Sequence, residues 1–282
     1  MSPRATLLVG ALLLAALPAR AETPLERGTY LMQSIVACGN CHTPMGPDGP
    51  VEGMELAGQL VMKDAAFTAY AGNITPDEET GIGAWSEEEI VRAIREGVRP
   101  DGSLIGPPMP IEHYRHMSDS DVEAIAAYLR NVPPVRNEVP ASAYNIPLPE
   151  SYGPPVDKVA EVPRDDLIAY GAYLAGPLGH CVECHTPMAG PVRDYENQLG
   201  AGGFQFPGPW GVSTSANITP HADGIAHHSD AELKTIITTG IKPDGRKMMP
   251  PMPYAYYARM EEGDLEAIIA YLRTLPPRAS PR

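Results

Sequence analysis

Cys38-Gly39-Asn40-Cys41-His42-Thr43-Pro44-Met45 is written into this chain twice: Cys181-Val182-Glu183-Cys184-His185-Thr186-Pro187-Met188 repeats it 143 residues later. Reading outward, the same offset recurs. Asp101-Gly102-Ser103-Leu104-Ile105-Gly106-Pro107-Pro108-Met109-Pro110 answers to Asp244-Gly245-Arg246-Lys247-Met248-Met249-Pro250-Pro251-Met252-Pro253, and Gly28-Thr29-Tyr30-Leu31 to Gly171-Ala172-Tyr173-Leu174, both at 143. Asn73-Ile74-Thr75-Pro76 reappears at Asn217 with an offset of 144, and Gly81 and Gly224 return to 143. Short matches arise by chance, but a series in one order at one offset marks an internal duplication.

Each half reads as helical. Leu25 to Ala37 forms a first helix running into the cysteines. Ser86 is an N-cap for Glu87 to Glu96, with acids in the first turn and a stop at Gly97. Ser118-Asp119-Ser120-Asp121 resembles a capping box ahead of Val122 to Arg130. Counterparts fall at 165–176, 229–240 and 262–273, and no strand alternation stands out. Gly28 with Tyr128, and Gly171 with Tyr271, would let the first and last helices of each half cross closely, with Tyr30 and Tyr173 packing nearby. Between the halves, residues 133–163 hold eight prolines, which exclude a helix and predict an extended, semi-rigid connector lying along the surface.

Cys-x-x-Cys-His is the attachment pattern for c-type haem. Cys38 and Cys41, and likewise Cys181 and Cys184, can add to the two vinyl groups from one helical turn. The adjacent His42 or His185 is then held under the ring to bind the iron. Two alternatives compete: a Cys₄ zinc site and a pair of disulfides. Neither accounts for a histidine after both pairs. A second axial ligand should recur in both halves, and Met109 and Met252 do, each 67 residues beyond its histidine. Prolines on both sides stiffen the loop that presents the thioether. Met248 and Met249 rival Met252, but the first half has other residues there. Met45, Met54, Met62 and Met188 read as fillers of apolar gaps. His113, His116, His221, His227 and His228 have no histidine counterparts and read as surface or loop residues, although His113 and His116 lie close enough to Met109 for a ligand switch. Asn73 and Asn217 could meet a haem propionate or equally clamp a loop.

The first residues carry an export pattern: Arg4, an apolar run from Leu7 to Leu17, then Ala19-Arg20-Ala21. Cleavage is expected after Ala21, giving a periplasmic chain; a retained anchor is the competing reading, but the run is short for a span of about 20 residues. The expected layout is a leader at 1–21, domains at 22–132 and 164–282, and the connector at 133–163. Loss of the leader removes Arg4 and Arg20 and no acid, taking the net charge from −14 to −16. An acidic surface argues against nucleic acid and anionic lipid, and favours a basic docking partner unless it serves solubility alone.

With the Cys-His motifs, the Asn-Ile-Thr-Pro segments, Thr80-Gly81-Ile82-Gly83-Ala84-Trp85-Ser86, the Met-Pro loops and the Ala-Tyr-Leu-Arg helix ends at 127–130 and 270–273, the chain resembles class I c-type cytochromes over both halves. It is most similar to the cytochrome subunits of membrane-bound alcohol and gluconate dehydrogenases and to small diheme cytochromes. The resemblance implies an all-α fold of two tandem domains carrying two covalently bound haem c groups with His/Met ligation. Those subunits have a three-haem design, whereas this chain has two motifs, and His228 stands where the first half has Trp85. The function expected is single-electron transfer between a dehydrogenase or quinol-side donor and a terminal acceptor, such as another cytochrome or an oxidase, without catalysis by the chain itself. The competing class is a diheme enzyme. A peroxidase needs a displaceable ligand, and a cysteine-ligated thiosulfate dehydrogenase needs a spare thiol, which four haem-attaching cysteines do not leave.

Overall fold

The computed structural model describes residues 21–208 and 210–281. The leader expected over 1–21 therefore lies, except for Ala21, outside the described residues. Among those described, no helix is long and apolar enough to cross a membrane.

The first helix, Pro24–Gln33, opens on a capping box: Thr23 Oγ1 accepts the Glu26 amide at 3.2 Å and the Glu26 carboxylate accepts the Thr23 amide at 2.8 Å. It stops short of the expected Ala37. The Ser34 hydroxyl donates to the Tyr30 carbonyl at 2.5 Å, and Ala37 turns the chain with φ +50°. In the second half, Leu167–Tyr173 is followed by a π-helical turn, Leu174–Leu178, containing Pro177. Gly179 N–H donates to the Leu174 carbonyl at 2.8 Å across that wider turn.

Both first helices cross the last helix of their half, Asp119–Asn131 or Glu262–Thr274. A Cβ on Gly28 would lie 1.9 Å from the Ala124 carbonyl oxygen, and one on Gly171 would lie 1.9 Å from that of Ala267. Tyr128 and Tyr271 Cβ atoms flank the same contacts. The crossing read from the sequence is present, and only a hydrogen fits there. The middle helices are Glu87–Glu96, with the expected N-cap at Ser86 and stop at Gly97, and Asp230–Thr239; both open on capping boxes, Ser86 with Glu89 and Ser229 with Glu232, and both end on a glycine at φ +67°, Gly97 and Gly240. At Ser118 only half of the expected box forms. Ser118 Oγ accepts the Asp121 amide at 3.2 Å, but the Asp121 carboxylate is engaged elsewhere, by Arg27 and Tyr173.

The all-α expectation needs correction. Short antiparallel ladders join Met45–Gly46 to Gly49–Pro50, Met188–Ala189 to Val192–Arg193, and Gln205–Gly208 to Gly211–Thr214. A three-stranded sheet is built from Gln59–Lys63, Phe67–Ala71 and Ala143–Tyr144. Strands of two residues are too short to show a period of two. In Gln59–Lys63 a register shift between Leu60 and Met62 interrupts the alternation.

Residues 133–163 run largely extended, as their prolines require, but they are strapped to the first half. Val135 N–H donates to Thr75 Oγ1 at 3.0 Å, Asn137 Nδ2 to the Ala57 carbonyl at 2.8 Å, and Asp119 N–H to the Val159 carbonyl at 3.0 Å. Tyr144 and Tyr152 donate to the carbonyls of Pro107 and Ile105, at 3.0 and 2.8 Å, bracing the loop before Met109.

The halves share one apolar cluster, with Leu31, Ile35 and Ile125 from the first and Leu174, Leu178 and Ile269 from the second. Their polar contacts are reciprocal. Tyr30 donates to Asp264 Oδ2 and Tyr173 to Asp121 Oδ2, both at 2.7 Å. Glu261 N–H donates to Tyr30 Oη and Ser118 N–H to Tyr173 Oη, both at 3.0 Å. Each pair joins residue i of one half to residue j of the other, and then j to i, as at a two-fold interface.

Candidate cofactor sites

Gly39–His42 and Cys181–Cys184 each form a single helical turn. The residues that lead in, Ala37 and His180, occupy equivalent positions and both take left-handed backbone, at φ +50° and +37°. That conformation costs a non-glycine residue about 1–2 kcal/mol, and its recurrence fixes the same sharp approach to both cysteine pairs. His42 N–H donates to the Cys38 carbonyl at 2.9 Å and His185 N–H to that of Cys181 at 3.0 Å. Both thiols of each pair and the following imidazole are thus presented from one turn.

The imidazoles are oriented alike. His42 Nδ1 lies 2.7 Å from the Gly72 carbonyl and His185 Nδ1 lies 2.6 Å from that of Ala216. A carbonyl can only accept, so Nδ1 carries the proton and the Nε2 lone pair is left for a metal. Burial lowers both imidazoles below their usual range, favouring the neutral ligand form. The four cysteines are free of disulfides. Burial pushes Cys38 and Cys181 up to about 12 and Cys41 up to about 11. Among the described residues the one compact ligand group is His180, Glu183 and Cys184, so the four sulfurs do not converge on a Cys₄ site. The donor set fits a haem c in each half.

Met109 and Met252 are half-buried against the apolar cluster. Their loops are anchored at equivalent points: Ile105 N–H donates to the Gly97 carbonyl and Met248 N–H to that of Gly240, each at 2.7 Å. One-turn helices follow, Ile111–Tyr114 and Tyr254–Tyr257. Their buried last residues, Tyr114 and Tyr257, lie within electrostatic range of the cysteine pair of their own half, and burial holds both phenols well above the usual range. Each methionine loop is thus followed by a helical turn whose buried tyrosine neighbours the cysteine pair of the same half. Met249 is 42 % exposed and points away from that role. Met45 and Met188, read as gap fillers, are instead 58 % and 44 % exposed on their hairpins; the core methionines are Met32, Met117 and Met260.

The two sites abut. Cys41 lies within electrostatic range of Cys184 and Glu183. Tyr256 seats its hydroxyl over Gly39, where a Cβ would stand 2.1 Å from it, and Asn40 Nδ2 donates to the Pro251 carbonyl at 3.2 Å. In the other direction, His113 Nε2 meets Tyr195 Oη at 2.9 Å, and Tyr114 packs edge-on to His180 with ring centroids 5.9 Å apart. His113 is therefore an interface residue and not a surface one, and burial lowers it to about 4. Burial opposes the charge on His180, but neighbouring Cys184 and Glu183 outweigh it and raise the imidazole to about 10. His116 is exposed, His221 accepts the Asp223 amide at 3.1 Å, and the His227 ring lies tilted against that of His228 with centroids 4.4 Å apart.

Asn73 and Asn217 are loop clamps. Each Oδ1 accepts both the amide and the hydroxyl of the threonine two residues on, Thr75 or Thr219. Each Nδ2 donates to a backbone carbonyl, Val135 or Arg278, at 2.7 Å. Little is left for a propionate. The Ala-Tyr-Leu-Arg ends tie down loops in the same way, since Arg130 donates to the Trp85 carbonyl at 2.7 Å and Arg273 to that of Ile225 at 2.8 Å.

Two such halves, each joining a Cys-x-x-Cys-His turn to a distant methionine loop, define a protein made of tandem c-type cytochrome domains. Residues 168–276 match the cytochrome c family, and residues 23–129 match the family described as cytochrome C oxidase, cbb3-type, subunit III. The chain accordingly carries two cytochrome c domains. It is 32 % identical, over 93 % of its length, to the fructose dehydrogenase cytochrome subunit of Gluconobacter japonicus, of which it spans 55 %. It is 30 % identical, over 89 % of its length, to the gluconate 2-dehydrogenase cytochrome c subunit of Pantoea cypripedii, of which it spans 59 %. A diheme cytochrome c-type protein of Cereibacter sphaeroides is 28 % identical over 85 % of this chain and is spanned to 82 %. The chain thus covers little more than half of these dehydrogenase subunits.

Proposed function

We propose that this chain is a periplasmic diheme cytochrome c that passes single electrons from a dehydrogenase or quinol-side donor to a terminal acceptor, another cytochrome or an oxidase. The observation that carries the reading is the pair of equivalent attachment turns, each with its imidazole tied through Nδ1, lying against one another. Haem c in each site would supply an iron that alternates between two oxidation states and so holds one electron. Cys38 and Cys41 tether it in the domain at 22–132, and Cys181 and Cys184 in the domain at 164–282, with 133–163 as the strap between them. His42 and His185 would each offer Nε2 to the iron, and Met109 and Met252 would each offer their sulfur. A thioether ligand would favour a higher potential than a more electron-donating one, and ligation by both residues would leave the iron no open position for substrate. The names of the related dehydrogenase subunits support a dehydrogenase donor.

The mature charge of −16, after loss of residues 1–21, suits a basic docking partner. Glu87, Glu88 and Glu89 begin one helix, and Glu261 and Glu262 lie at the start of another. Stopped-flow mixing of the reduced protein with a basic cytochrome is expected to deliver two electrons per chain at a rate that falls as salt rises. The screening length shrinks from about 10 Å at 0.1 M to about 3 Å at 1 M. A rate unchanged across that range would place docking on apolar contact and leave the acidity to solubility.

A further inference from the structure

Asp121 and Asp264 occupy equivalent positions in the first turn of the last helix of each half, and each is 5 % exposed. A buried carboxyl is costly unless it is hydrogen-bonded. Each accepts from a tyrosine of the other half, but their remaining partners differ. Asp121 also receives Arg27 Nε at 2.7 Å and Nη2 at 3.2 Å. The residue equivalent to Arg27 is Tyr170, and Asp264 has, among the described residues, one side-chain donor: Tyr30 Oη at 2.7 Å. The second half therefore depends on the first to satisfy its buried acid, while the first can satisfy its own.

Tyr30 is also well placed mechanically. It lies on Pro24–Gln33, the helix that leads into Cys38, and its hydroxyl accepts the Glu261 amide at 3.0 Å. Glu261 and Asp264 follow directly on the segment that carries Met252 and Tyr257. One phenol thus joins the approach to the first attachment turn to the far side of the second site. We infer that Tyr30 is a positioning residue that holds the two cofactor sites in fixed register, and that Tyr173 is its weaker counterpart. The role in electron transfer rests on the two-haem reading; the bond itself does not.

The test uses the full mature protein with Tyr30→Phe, Tyr173→Phe, and Tyr30→Phe combined with Asp264→Asn, which exchanges the stranded carboxyl for an amide. Two readouts are compared: hydrogen exchange of the amides around Glu261 and Ser118, and equilibration of one injected electron between the haems after pulse radiolysis. Tyr30→Phe is expected to raise exchange near Glu261 by about tenfold and to slow equilibration, with both haem spectra unchanged. Tyr173→Phe should do distinctly less, because Arg27 still holds Asp121, and Asp264→Asn should recover part of the Tyr30→Phe loss. Unchanged exchange and equilibration in Tyr30→Phe, or an equal or larger effect of Tyr173→Phe, would overturn the inference. Raised exchange with unaltered equilibration would overturn the positioning role. A parent chain without two haems would sink the two-haem reading and the positioning role built on it, while exchange would still decide the lock. If Tyr30→Phe alone fails to fold, its combination with Asp264→Asn carries the same comparison.

Discussion

A chain with Cys38→Ser and Cys41→Ser will be recovered, if exported intact, with one covalent haem instead of two. Cys181→Ser with Cys184→Ser will lose the other. Each pair sits on its own turn, Gly39–His42 or Cys181–Cys184, with its own tied histidine, so attachment at one turn needs no sulfur from the other. Serine preserves size but cannot form the thioether, which leaves only coordination to retain the haem. Intact-protein mass measures the result directly. The expected series is residues 22–282 with two haems in the parent and one in each double variant. Stability should fall as well in both variants, because the halves share one apolar cluster. A chain recovered with zinc and without haem would overturn the assignment.

The second large effect is expected at the helix crossings. Gly171→Ala sets a methyl carbon 1.9 Å from the Ala267 carbonyl oxygen, and Gly28→Ala does the same against Ala124. The obstacle is backbone on a core helix, which cannot swing aside as a side chain can, so the helices must part. Overpacking of this kind costs about 1–3 kcal/mol and sometimes more. At about 2–4 °C per kcal/mol for a chain of this size, thermal unfolding monitored by circular dichroism should show either variant clearly below the parent. Gly263→Ala is the control. It lies within Glu262–Thr274 with no neighbour within 4 Å, and there alanine should gain about 0.5–1 kcal/mol through helix propensity alone. Equal melting of all three variants would remove the crossing from the account.

These crossings were legible because glycine and tyrosine recur at matched positions in both halves. The cap at Ser86 was legible because a serine stands directly before a run of acids on one chain segment. The strands were not. Met45–Gly46 with Gly49–Pro50 is a ladder of two residues a side, below any periodic signal, and Ala143–Tyr144 gains its partner only because a proline-rich strap returns to Phe67–Ala71. The π-helical turn at Leu174–Leu178 was not legible either: the i→i−5 bond of Gly179 to Leu174 has its equivalent in Val36 to Leu31, and no residue in either segment announces it.

The cross-partnership of Tyr30 and Tyr173 had a deeper reason to stay hidden. In a duplicated chain, pairing within a half and pairing across halves leave the same matched residues in the sequence. Only the coordinates distinguish Tyr30 bonded to Asp264 from Tyr30 bonded to Asp121. The same ambiguity concealed the contact of Tyr256 with Gly39 and made His113 look like a surface residue when it lies against Tyr195. The methionines divided along similar lines. Met109 and Met252 stood out by their fixed distance from a histidine, whereas the exposure of Met45 and Met188 depends on hairpins that the sequence did not reveal.

The central claim is that each half holds one low-spin haem between a histidine and a methionine. The most direct measurement is the near-infrared and electron paramagnetic resonance spectrum of the oxidised protein, taken beside Met109→Ala and Met252→Ala. The account predicts two low-spin haems and two sulfur-to-ferric-iron charge-transfer bands, with each substitution removing one. A high-spin haem in the parent, or both bands surviving both substitutions, would contradict it.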